Sequence, residues 1–216
     1  MLQMAVRAHD TRFGPEAPDA EQRPANTRTR ILDVGEQLVQ VRGFNGFSYA
    51  DVAAELSVTK ASLHYHFPSK AELGEAIIVR YAERFAHALA AIDANIALAP
   101  AKLDAYANLY AEVLRRERMC LCGMLAAEYQ TLPSPIRDAV VAFLNDNEAW
   151  LALVLEHGRK DGSLRFSNTA ADTARSIVSG LEGAMLVARP YGAVDRFETT
   201  AAQLLAGLAG TKTTKS

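Results

Sequence analysis

Several features that would settle a protein's class at once are scarce in this chain. It has two cysteines in 216 residues, too few for a disulfide scaffold. No run approaches the roughly 18 uninterrupted apolar residues of a membrane helix, so no membrane partner is expected. The N-terminal stretch carries charge with no apolar core behind it, so no signal peptide is expected. There is no internal repeat and no strand-like alternation of any length. Nor is there a strong charge excess: the net charge is −2. Half of the residues are hydrophobic, which excludes a disordered chain, and the length allows one or two compact domains with a sizeable core. What remains is helical rhythm from end to end, and a cytoplasmic location is the simplest expectation.

One stretch stands out, Ser48 to Lys70, reading SYADVAAELSVTKASLHYHFPSK. Ser48 with Asp51 three residues on forms a capping box in its Asp form, and Phe47 and Val52 are placed for a hydrophobic staple. Val52 and Leu56 stand one helical turn apart, Ser57-Val58 makes a turn, and Thr59 caps a second helix whose apolar residues are Leu63 and Phe67. Lys60, Ser62, His64, Tyr65 and His66 stay outward. A short helix with a donor-rich outer face, held by the helix before it, fits a helix-turn-helix that lays its second helix in the DNA major groove. An ordinary pair of packed helices fits the pattern as well. Charge supports the first reading: residues 23–70 carry Arg23, Arg28, Arg30, Arg42, Lys60 and Lys70 against Asp33, Glu36, Asp51 and Glu55, whereas residues 71–210 carry 13 basic and 17 acidic residues.

The run Thr59-Lys60-Ala61-Ser62-Leu63-His64-Tyr65-His66-Phe67-Pro68-Ser69-Lys70-Ala71-Glu72-Leu73 resembles the signature of the TetR family of transcriptional regulators. Ile31-Leu32, Gly43-Phe44 and Val52-Ala53 fall where that family places the core of its first two helices. The specific match spans about residues 27–80. Three positions depart from it: His64 stands where Tyr is usual, Ser57 where Gly is usual, and Gly35 where Ala is common. A left-handed turn at Ser57 would carry a small strain, and Gly35 weakens its helix by about 1 kcal/mol. The resemblance implies an all-α, TetR-like fold, with a three-helix DNA-binding domain followed by a helical bundle for ligand binding and dimerisation. The expected division is a flexible tail at 1–23, the DNA-binding domain at 24–84, the ligand and dimer domain at 85–210, and a tail at 211–216.

Lys60, Tyr65, His66 and Lys70 are candidates for phosphate contacts, and Thr59, Ser62 and His64 for base-edge contacts. Ala61 is placed to touch a thymine methyl, and Arg28, Ser48 and Tyr49 complete the candidate DNA-binding set. His66 has a rival role as a wedge between helices. His64 and His66 point roughly 200° apart on a helix and do not share a metal ion, so no metal and no cofactor are expected.

Downstream, helices are expected at about 69–95, from Pro100 to the basic cluster Arg115-Arg116-Glu117-Arg118, from Cys120 to Leu132, and at about 134–162, 169–189 and 195–209. The first helix of the chain is expected at Thr27–Arg42. Tyr106, Tyr110, Cys120, Met124, Glu128, Phe143, Asn147 and Trp150 are the candidate ligand pocket, although aromatic residues at helical spacing are ordinarily core. Cys120-Leu121-Cys122 reads as two buried thiols; the alternative is a reactive sensor in which Arg115, Arg116 and Arg118 lower the pKa of Cys120. The last two helices are apolar and rich in small residues. They are either buried within one subunit or paired with a second copy, and the resemblance favours the homodimer, through Ile177, Leu181, Met185, Phe197, Leu204, Leu205 and Leu208. A dimer would bring two recognition helices to grooves about 34 Å apart on near-palindromic double-stranded DNA. The expected function is a transcriptional repressor released by a small-molecule effector, with no catalytic residues. The competing classes are an all-helical thiol-dependent enzyme and a protein-binding module that does not touch DNA.

Overall fold

The computed structural model describes residues 22–209. Most of the tail expected at 1–23, and all of that at 211–216, lies outside these residues. Among the described residues the regular elements are helices: α1 (Gln22–Arg42), α2 (Tyr49–Leu56), α3 (Lys60–His66), α4 (Lys70–Asn95), α5 (Ala99–Arg115), α6 (Leu121–Ala127), α7 (Ser134–Asp161), α8 (Ala170–Ala188) and α9 (Val194–Ala206). Short 3-10 turns follow at Tyr129–Thr131 and Arg189–Tyr191, and one isolated bridge joins Leu164 to Ala209. None of these helices is long and apolar enough to cross a membrane.

α1 starts five residues before Thr27. Pro24 falls in its first turn, where a missing N–H leaves no bond unmade. Its inner face, Ile31, Leu32, Leu38 and Val39, packs with Val52 and Leu56 of α2, Leu63 of α3 and Leu73, Ile77 and Ile78 of α4 in one continuous core. Gly35 lies against α4: a Cβ there would meet Ile77 Cδ1 at 2.7 Å. Close approach thus offsets the propensity that the glycine gives up.

The turn between α2 and α3 forms as its residues suggest. The Ser48 N–H and Oγ both donate to Asp51 Oδ2, at 2.7 and 2.6 Å, and hold that carboxyl below the usual carboxylate range. Phe47 and Val52, on either side of the cap in sequence, are both buried. Ser57 adopts φ 54°, ψ 43°, the left-handed conformation that costs an L-residue roughly 1–2 kcal/mol. Ser57→Gly is therefore expected to stabilise the fold by about 0.5–1 kcal/mol after glycine's own entropy cost, read as a rise in the urea midpoint at unchanged slope.

Ser69 caps α4, accepting from the Glu72 N–H at 3.2 Å, and α4 then runs 26 residues without a break. It leaves α3 at its first turn and ends among α5 and α7, with Leu89 and Ile92 buried. α5, α7, α8 and α9 continue the same core around Leu103, Leu151, Leu155, Leu181 and Phe197, each worth about 1.5–3 kcal/mol when withdrawn from water. The Arg165 N–H donates to the Leu208 carbonyl at 2.8 Å and ties the end of α9 to the loop after α7.

The single helix expected from Cys120 to Leu132 is two pieces. Glu128 leaves the helix at φ −103°, ψ 10°, and its carbonyl accepts from Thr131 Oγ1 at 2.8 Å, which tightens the chain into the 3-10 turn. Side-chain bonding elsewhere, described below, overrides the apolar period at this point.

Candidate functional site

α3 is only seven residues long and buries one of them, Leu63. Thr59 caps it, its Oγ1 accepting the Ser62 N–H at 3.2 Å. Lys60, Ala61, His64 and Tyr65 are exposed, Ser62 and His66 half-buried. Tyr65 is 80 % exposed, an unusual position for so large a ring unless something covers it. The Tyr65 and His66 rings meet edge to face at 5.1 Å. One His64 ring nitrogen lies 3.1 Å from the Pro68 carbonyl, leaving the other ring edge outward. Arg28 lies over the Phe67 ring at 4.8 Å, on the same side of the molecule. This is a polar, outward face of a short helix, of the size that a major groove admits. Among the described residues, no group of three or more His, Cys, Asp or Glu side chains gathers to hold a metal ion.

Three of the expected DNA contacts are engaged elsewhere. Tyr49 is buried; its hydroxyl donates to the Phe67 carbonyl at 2.7 Å, its ring lies 4.7 Å from that of His64, and burial pushes its pKa up to about 12. It braces α3 from behind and does not face outward. Ser48 spends its hydroxyl on Asp51. The Lys70 ammonium turns inward, donating to the Phe47 carbonyl at 2.5 Å and sitting 4.6 and 4.4 Å from the Phe44 and Phe47 ring centres, and burial lowers its pKa. All three are legible as polar residues at motif positions, but the direction of each side chain is not.

The expected ligand pocket is a closed core. Tyr106 and Tyr110 share a hydroxyl–hydroxyl bond of 2.9 Å, the Tyr106 hydroxyl donates to Asn147 Oδ1 at 3.1 Å, and Asn147 Nδ2 donates to the Phe143 carbonyl at 2.7 Å. Trp150 stacks on Tyr106 at 5.6 Å and donates its ring N–H to Asp93 at 2.8 Å. Tyr106, Tyr110, Phe143 and Asn147 are at most 3 % exposed, so no room is left among them for a ligand. Met124 is half-buried, its sulfur 3.4 Å from Arg189 Nη1. Cys120 is fully buried, 3.8 Å from the Tyr81 hydroxyl and against the Glu182 carboxyl; burial first, and Glu182 second, push its thiol well up. Of the arginines expected to activate it, Arg115 binds Glu112 and Glu198 and Arg118 binds Gln37, while Arg116 is exposed; the carboxyl of Glu182, not a guanidinium, is what meets the thiol. This arrangement disfavours the thiolate and closes the sulfur off from solvent.

Glu128 stands outside that core altogether. Its carboxylate accepts the Phe44 N–H at 2.6 Å and the Asn45 N–H at 3.2 Å, both from the loop between α1 and α2. Asn45 Nδ2 donates to Thr131 Oγ1 at 2.7 Å beside it. Gly43, at φ 84°, makes this possible, because a Cβ would lie 2.7 Å from Glu128 Oε1. The Met119 N–H adds a bond to the Gln40 carbonyl at 3.2 Å, and the Arg189 guanidinium reaches the Val41 carbonyl. The segment around α6 is thus clasped to the end of α1.

The expected interface side chains Ile177, Leu181, Met185, Phe197 and Leu205 are buried by their own chain, so a partner does not reach them; Leu204 and Leu208 are half-buried. Leu186, Val187 and Tyr191 are exposed, and Val187 lines, with Gly183 and Ala184, a cleft of about 490 Å³ between α8 and α9. The second half of α8, Gly183–Ala188, is apolar on every side, so its sequence does not say which of Met185, Leu186 and Val187 faces inward.

Two family models match the chain: one described as "Bacterial regulatory proteins, tetR family" over residues 31–77, the other as "Tetracyclin repressor-like, C-terminal domain" over residues 99–204. The crystal structure of a TetR-family transcriptional regulator from Agrobacterium tumefaciens is 30 % identical, with a TM-score of 0.84, covering 87 % of this chain and 100 % of that one. A TetR transcriptional regulator from Legionella pneumophila is 35 % identical, with a TM-score of 0.74, covering 85 % and 97 %. Among curated relatives, the HTH-type transcriptional repressor NemR of Escherichia coli is 28 % identical over 76 % of this chain and 84 % of its own.

Proposed function

The chain belongs to the TetR family and is a DNA-binding transcriptional regulator, and from that premise we propose that it is a cytoplasmic homodimeric repressor that leaves its operator when a small molecule binds the helical bundle. The observation that carries this reading is the α3 face: an almost fully exposed Tyr65 among Lys60, His64 and His66, on a helix braced from behind by Tyr49. Lys60, Tyr65 and His66, with Arg28, take the phosphates; Thr59, Ser62, His64 and Ala61 meet the base edges. Two copies joined through the exposed face of α8 and α9 present two such helices to successive major grooves. The clasp at Glu128 carries a movement of α6 to the loop that precedes α2, and α4 carries the same movement to α3. Catalysis has no part in this reading.

A gel shift with the DNA flanking its own coding region tests it. A specific band that weakens steeply as salt rises from 50 to 200 mM, over a site with two-fold symmetry, is the expected result. The absence of any specific band, or a band insensitive to salt, overturns it.

A further inference from the structure

The closed aromatic core offers no seat to a ligand, but a groove one layer away does. It has a volume of about 630 Å³ and runs between α1, α4 and α5. Its floor is apolar: Tyr81 and Phe85 from α4, Leu109 and Val113 from α5. Its rim carries Arg84, Arg116 and Arg118, and two acids, Asp33 and Glu36, from α1. Both acids are already neutralised. Arg80 binds Asp33 at 2.8 Å and Glu36 at 3.1 Å, and Arg84 holds the two Glu36 oxygens at 2.5 and 2.6 Å. Glu36 itself is buried, with 7 % exposure. The cations at the end of α5 are not neutralised. The Arg116 side chain has no hydrogen-bond or ion-pair partner among the described residues, and Arg118 makes one bond, to the neutral Gln37, at 3.0 Å.

An apolar floor flanked by guanidiniums with unspent donors is complementary to one kind of molecule. We propose that this groove seats the effector, and that the effector is an organic anion, a carboxylate or its equivalent on an apolar body. The volume lies within the range of small-molecule sites. The apolar body covers Phe85 and Val113, while the anion takes paired N–H donors from Arg116 and Arg118. A cationic ligand would face these same guanidiniums unscreened. The inference rests on the regulatory reading above and gives it a location. One wall of the groove, α1, belongs to the DNA-binding module, and the opposite wall, α5, belongs to the bundle. A molecule held between them has different contacts in each relative placement of the two, which is what a ligand needs to shift a two-state equilibrium. Tyr81, in the floor, also touches Cys120 through its hydroxyl at 3.8 Å, so occupation of the groove reaches the segment that carries the Glu128 clasp.

The test uses the full chain and three probes of one length, octanoate, octylammonium and 1-octanol, with 4-phenylbutanoate in parallel for an aromatic body. In titration calorimetry, at least one of the two carboxylates is expected to bind ten times or more tighter than octylammonium. Arg116→Gln/Arg118→Gln, the first exposed and the second half-buried, checked by an unchanged melting temperature, is expected to weaken that binding at least tenfold. The bound carboxylate is expected to lower affinity for the operator at least fivefold in the wild-type chain. Two carboxylates that bind no better than octylammonium overturn the proposal. Equal binding by the double variant overturns it too, as does tight binding that leaves operator affinity unchanged. Operator binding without any ligand tests the regulatory reading separately: a chain that shifts its DNA normally but ignores both carboxylates defeats the groove assignment alone.

Discussion

Lys60→Ala is expected to weaken operator binding about tenfold or more at 0.15 M salt and to flatten the salt dependence by about two log units per log unit, one for each subunit of a dimer. Lys60 opens α3 at its first position, is exposed, and has no ion-pair partner among the described residues, so its charge is available to a phosphate. Alanine is a better helix former than lysine, so the fold does not suffer and the loss appears in binding alone. Lys70→Ala supplies the contrast. Its ammonium is bonded to the Phe47 carbonyl and lies on two aromatic rings, so its removal is expected to lower stability and to leave the salt slope nearly unchanged. Salt titrations of the two variants beside the wild type check both. If Lys60→Ala leaves the slope where it was, the outward face of α3 is not what meets the phosphates.

The other large effect is expected at Glu128. Glu128→Ala removes the acceptor for the Phe44 and Asn45 N–H groups, one of them from a residue only 5 % exposed. Losing hydrogen bonds to a charged acceptor and leaving a buried donor unmade costs about 2–3 kcal/mol, or roughly 4–12 °C in melting temperature for a chain of this size. The space beside Gly43 opens at the same time. A second effect separates this clasp from ordinary packing. With the α1–α2 loop released from α6, the effector's influence on operator affinity is expected to shrink by more than half, even at temperatures where the variant is fully folded. Glu128→Gln keeps one acceptor oxygen and is expected to fall between the two. Calorimetric melting and effector-dependent gel shifts measure the two quantities independently. A variant that melts early but responds to effector like the wild type would make Glu128 a stabilising residue and no more.

Much of the DNA-binding module was legible because its signals are local. A capping box and a cap four positions before an apolar residue act within one or two turns, and Ser48–Asp51 and Thr59 formed as the spacing predicts, with Phe47 and Val52 both buried. The left-handed Ser57 was readable for the same reason. Direction across the module was not. Whether Tyr49 and Lys70 point out or in depends on Phe67 and Phe47, 18 and 23 residues away. Sequence separation also hid Glu128, whose partners lie more than 80 residues upstream, and with it the break that ends α6 early. In the bundle, apolar residues are so dense that several helix faces compete for the core. The period marks Ile177, Leu181 and Met185 as buried; it does not say whether their own chain or a second copy buries them. The groove beside α1 was missed for a related reason. Arg116 and Arg118 read as a helix-end charge cluster, and only the placement of α5 against α4 brings Phe85 and Tyr81 to the same groove.

The unbroken length of α4 has a mechanical consequence. Twenty-six residues make a rod of about 39 Å. A swing of about 5° around its far end displaces the near end by roughly 3 Å, as follows from that length. In a symmetric pair the two displacements add to about 6–7 Å, half the width of the groove that each recognition helix must enter. Leverage of this kind needs no hinge and no melted turn: a wedge the size of a few carbon atoms at one end suffices to spoil the spacing at the other.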